Sequence, residues 1–144
     1  MNWSNDKEYE KSNKIESVKY NKLSTKEYKN LLACGESHIE RQKAAKTLIK
    51  YLCEKYGLAV SQVIVKNTTG VTALGKYYPS LNSIVIYNKT PKNTKVRSIK
   101  QFTETLLHEF IHHYDINYLK FSASPHTKGF YMRISDLKRK LEGC

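Results

Sequence analysis

Cysteine is scarce in this chain, and the three present are spaced for neither of their usual structural roles. Cys34, Cys53 and Cys144 are an odd set with no C-x-x-C pair, which argues against a disulfide framework and against a thiolate zinc knuckle. Free thiols in a reducing compartment are the expectation. Long apolar runs are missing too: none approaches the roughly 18 residues of a membrane span. The N-terminal stretch is polar and charged and carries no apolar h-region, so no secretory signal, no membrane partner and a cytoplasmic location are expected. Acids are few, 13 against 25 Lys and Arg, which leaves a net charge of +12.

Arginine is scarcer than that charge suggests. Only Arg41, Arg97, Arg133 and Arg139 are present, so 25 minus 4 leaves 21 lysines. Arg is the side chain suited to bidentate phosphate and base recognition, whereas Lys is a point charge. The charge therefore supports attraction to polyanions, DNA among them, without establishing DNA binding.

With 144 residues the chain is long enough for one core. Residues 1–22 are low in aliphatics and mixed in charge, and read as a polar, mobile N-terminal arm before a domain over 23–144. A helix is predicted from Thr25 to Ala33, and a longer one from Ser37 to Tyr56. Each opens on a Ser with Glu three residues later, and Gly57 supplies a stop. "VSQVIVKN", "GVTALGKYY" and "NSIVIYN" then read as three short strands in a mostly antiparallel meander. "TPKNTKVRS" is a polar connector. Helical periodicity returns from Ile99 to Tyr118, with Phe102, Leu106, Phe110 and Tyr114 at steps of four. A loop and a last amphipathic helix around Phe130, Ile134, Leu137 and Leu141 follow. The fold class is α+β.

The segment "TLLHEFIHHYD" holds three of the five histidines. His108 and His112 are four apart, so both imidazoles leave one face of a helix, with Glu109 beside them. In this HExxH arrangement two His bind zinc and the Glu is general base toward a zinc-bound water. The helix has a separate apolar side, so the pair need not serve the core. A third ligand is required. His126, at a loop-to-helix junction, is preferred. Asp115 is its rival, or else a group that orients a ligand imidazole. His113 sits about 100° round from His112 and is expected at the surface or behind the ligands. A polar solvent-facing stripe, or a purely structural zinc site closed by Asp115, are the plainer readings of the same residues.

"TLLHEFIHHYD" followed by "SPHTKGFYMRI" resembles the SprT-like zincin family, which includes the Spartan-type DNA–protein crosslink proteases. In that family an HExxH helix is followed by a loop and by a His shortly before an aromatic that opens the last helix. Here His126 precedes Phe130 by four. "ALGKYYPSLNSIVIYNKT" also resembles the family's strand–turn–strand segment. The resemblance covers roughly residues 36–141. It implies a zincin-like domain, zinc held by His108, His112 and His126, and Glu109 as catalytic base of a metallopeptidase acting on protein or peptide. The family often has His-Gly before the aromatic helix, whereas this chain reads "HTKGF". A basic module that binds nucleic acid or a partner on a zincin fold without turnover is the alternative.

Overall fold

Local polar chemistry marks the helix ends. The computed structural model describes residues 3–69, 73–91 and 95–143; positions 70–72 of the second predicted strand and 92–94 of the connector lie outside them. The described elements are α1 (Trp3–Lys14), α2 (Lys26–Leu32), α3 (His38–Tyr56), β1 (Gln62–Thr69), β2 (Gly75–Tyr78), a 3-10 turn (Pro79–Leu81), β3 (Ser83–Lys89), α4 (Ile99–Asn117) and α5 (Lys128–Glu142). The fold is α+β. Ser37 caps α3 by accepting from the Glu40 N–H at 3.3 Å. Gly57 ends it at φ 68°, a left-handed conformation that costs glycine little. Ser98 and Thr127 cap α4 and α5 in the same way. Among the described residues no helix is long and apolar enough to cross a membrane.

The sheet corrects the predicted meander. Its order is β1-β3-β2, with β3 antiparallel to β2 but parallel to β1. The sheet is therefore mixed. β2 and β3 form a hairpin through the 3-10 turn and Asn82, which sits at φ 48°. β1 lies on the other side of β3 and alternates exposed and buried over its first four residues, whereas Ser83–Ile86 of β3 are buried without a break. A strand covered on both faces reads as a continuous apolar run, and "SIVI" is that run. β2 is left at an edge. Ala45, Leu48, Ile49 and Leu52 of α3 join Phe102, Leu106 and Phe110 of α4, and Phe130, Leu137 and Leu141 of α5, in one core.

The predicted mobile arm is docked. The α1 segment is helical, and residues 15–19 are tied down by side chains from distant helices. Val18 N–H donates to Asp136 at 2.9 Å, Lys140 Nζ to the Val18 carbonyl at 2.8 Å, and Tyr56 Oη to the Lys19 carbonyl at 2.8 Å. The anchors lie 37 to 122 residues away in sequence, so the segment's own composition does not announce them.

Asp136 is the hub of this anchor. Burial alone would raise its pKa, but hydrogen bonds from Lys140, the Val18 N–H and Arg139 outweigh burial and hold it below the usual carboxylate value. A carboxyl whose folded pKa is depressed adds stability that is complete above its unfolded pKa and fades as pH falls through the folded one. Asp136→Asn is therefore expected to cost about 1–3 kcal/mol at pH 7. The loss should shrink below about pH 4. Urea melts at pH 7 and pH 3 check this, and an equal loss at both would remove the charge from the explanation.

Three of the four arginines are internal: Arg41 and Arg97 are 2% exposed and Arg133 is 0%. Arg97 ties the carbonyls of Leu74, just before β2, and of Tyr87 in β3 to Gln101 and Thr105 of α4. Arg41 binds the carbonyls of Gly35 and Arg97 and the side chain of Asn88. The exposed positive charge is consequently almost all lysine.

Candidate metal centre

His108 and His112 project from one side of α4, and their Nε2 atoms reach the Nε2 of His126 at 3.2 and 3.1 Å. His126 is brought there by the loop that leads into α5, one residue before its cap Thr127. Candidate ligand atoms of the three lie within 4.8 Å of one another. Nitrogens bound at about 2.05 Å to a tetrahedral zinc stand about 3.3 Å apart, so the spacing suits a metal. The ring of Phe130 packs against all three imidazoles, with centroids at 5.0, 4.5 and 5.2 Å.

No protein-family model matches this chain, and no curated protein or solved structure does either. What the site can do is read from its own atoms.

The protonation of His112 is fixed by its neighbours. Ser124 Oγ donates its one proton to Asp115 Oδ2 at 2.8 Å and lies 2.8 Å from His112 Nδ1. The serine oxygen must then accept from Nδ1–H, which leaves the Nε2 lone pair facing the cluster. Burial, with the like charge of His126, lowers the pKa of His108 to about 4; burial, with His108 and His126, lowers that of His112 to about 3. Both rings are thus held in the neutral form that binds a metal.

Glu109 is 6% exposed. Burial pushes its pKa up to about 7, opposed by the main-chain N–H of Tyr77. The carboxylate lines two clefts. One, of about 570 Å³, runs past Gly75, Arg97, Thr105 and His108; the other, of about 360 Å³, past Tyr77, Ile116, His112 and Ser124. Gly75 allows this closeness, because a Cβ there would stand 2.7 Å from Thr105 Cγ2.

Asp115 is fully buried and belongs to Arg133, which donates to Oδ1 at 2.9 Å and to Oδ2 at 2.7 Å. It meets His112 only through Ser124, and so does not close a fourth coordination position. His113 stands outside the ligand cluster, as expected, but inside the protein and not at the surface. At 1% exposure it lies 3.1 Å from the Ala59 carbonyl through Nε2 and 2.8 Å from Tyr77 Oη through Nδ1, bracing α4 against β2. The imidazole takes a core position because both its nitrogens find partners there. Ser124, Tyr77 and Arg133 escaped the sequence reading; nothing in their local spacing distinguishes them.

Ser124→Ala is expected to weaken metal binding about 10- to 100-fold while leaving three nitrogen ligands. Competition against a chromophoric chelator measures it, and unchanged affinity would strip Ser124 of this role.

Proposed function

We propose that the chain is a zinc-dependent peptidase of the SprT-like type, with a zincin-like arrangement of sheet, active helix and third-ligand loop. The observation that carries this reading is three converging imidazole nitrogens beside a buried carboxylate that lines a cleft on either side. His108, His112 and His126 would hold the ion, and an all-imidazole set with one coordination position left free suits catalytic zinc. Bound there, zinc lowers the pKa of a coordinated water to about 7 and polarises a carbonyl.

The remaining work falls to the chain itself. Glu109 takes the proton of the attacking water, and its burial makes it a strong enough base to keep that proton until the leaving amine needs it. β2 is a sheet edge that packs on α4, so a peptide laid along it would pass both clefts. Main-chain pairing to such an edge selects extended segments with little regard for side chains. β3 is paired on both sides and cannot accept a further strand.

The test is metal content of the purified protein together with cleavage of an unfolded protein such as casein. About one zinc per chain and cleavage stopped by a chelator are expected. A chain that takes up no zinc after loading would end the reading. The second reading, a basic module without turnover, draws on the charge of +12. With three arginines internal, it predicts lysine contacts to phosphate, hence DNA affinity that falls steeply with salt and is unaffected by Glu109→Gln.

A further inference from the structure

The loop that delivers His126 has few bonds of its own. Between Tyr118 and α5 the main-chain links are Leu119 N–H to the Tyr114 carbonyl at 3.1 Å, Phe121 N–H to the Asp115 carbonyl at 3.1 Å and Thr127 N–H to the Pro125 carbonyl at 2.8 Å. Beyond the Ser124 contacts with Asp115 and His112 of α4, what holds it from outside is α1. The Glu8 carboxylate accepts from the Ser122 N–H at 3.0 Å and from Ser122 Oγ at 2.5 Å. One turn on, the fully buried Ser12 Oγ shares a 3.0 Å hydrogen bond with Thr127 Oγ1, the residue next to His126.

Ser12 also reaches the other ligand support. Arg133 donates to the Ser12 carbonyl at 2.7 Å and to Ser12 Oγ at 3.0 Å, and the same guanidinium grips Asp115, which holds Ser124 and through it His112. Gly129 records how close the approach is: a Cβ there would lie 2.0 Å from the Ser12 carbonyl oxygen.

We propose that α1 is a strap that positions the metal ligands, with Glu8 and Ser12 as positioning residues. Docked, it fixes the His126 loop and the Arg133–Asp115–Ser124–His112 chain together. Undocked, it leaves the His126 loop with those main-chain bonds and the Ser124 contact to α4 alone, and turns a three-His site into a two-His one. The inference rests on the metal reading of the cluster. It makes metal retention depend on a helix that contributes no ligand, and it gives any partner able to peel α1 away a means of releasing the ion.

The experiment is zinc release from the full chain into excess chromophoric chelator, followed by stopped flow at a temperature well below melting. Glu8→Ala removes the outer clasp at a partly exposed site where Ala favours helix. Gly129→Ala expels α1 while improving the intrinsic helix propensity of α5. Ser37→Ala is the control: it removes the cap of α3 and lowers stability without touching an anchor of the N-terminal arm. Release about tenfold faster for Glu8→Ala and faster still for Gly129→Ala is expected, with the control at the wild-type rate. If both strap variants melt lower yet release zinc at the wild-type rate, α1 is a mere stabiliser and the proposal falls while the metal reading stands. A wild type that binds no zinc overturns both.

Discussion

Glu109→Gln should leave zinc bound at one per chain and reduce peptide cleavage by about 10³-fold. The amide keeps the shape and removes the base. The same substitution should change stability in a pH-dependent way, and the sign follows from burial. In the metal-free protein Glu109 has its pKa raised to about 7 from an ordinary 4.5. A group raised on folding contributes stability that is complete below its unfolded pKa and is lost as pH rises through the folded value. Wild-type apoprotein therefore bears the cost of an ionised buried carboxylate at pH 8, and the neutral amide of the variant does not. The variant should melt higher than wild type at pH 8 and nearly level with it at pH 5. Cleavage retained by purified Glu109→Gln would sink the peptidase assignment. Equal melting at pH 8 would show that the carboxylate is better solvated than its 6% exposure implies.

His126→Ala should be the most damaging single change to metal binding. It removes the nitrogen that lies 3.2 and 3.1 Å from the two helical ones and leaves two imidazoles without an obvious substitute, since Asp115 is held by Arg133. Zinc content should fall from about one per chain to near zero after dialysis, with little change in folding because His126 is exposed. Full zinc in the variant would move the third ligand elsewhere and weaken the SprT-like reading with it. Elemental analysis of both proteins decides the matter in one preparation.

Much of this site is written locally. His108 and His112 share a helix face at a spacing of four, and the helix bears its own boundary marks, Ser98 at one end and an apolar stripe throughout. α3 is framed as plainly by Ser37 and Gly57. The sheet order is less legible because alternation and turn residues give strands, not neighbours. The continuous apolar run of "SIVI" is the one available sign that β3, not the second strand, is central. Least legible are Ser12, Ser124 and Arg133. Their roles exist only across 9 to 121 residues of intervening chain, and a lone serine in a polar stretch has no period to betray it. His113 misleads for a related reason: its angle on α4 points away from the ligands, but the surface it meets is another part of the protein.

The pairing of α1 with α5 also bears on how the protein is made. The hydrogen bonds joining them span 115 to 121 residues, so α1 leaves the ribosome long before its partner exists. α3, the hairpin and α4 can collapse in the meantime, because their contacts lie closer in sequence. The third imidazole and the helix that seats it emerge after every other described element. A nascent chain therefore carries the HExxH helix for a time without its third imidazole, and the three-His cluster is complete only once the segment leading into α5 has been made.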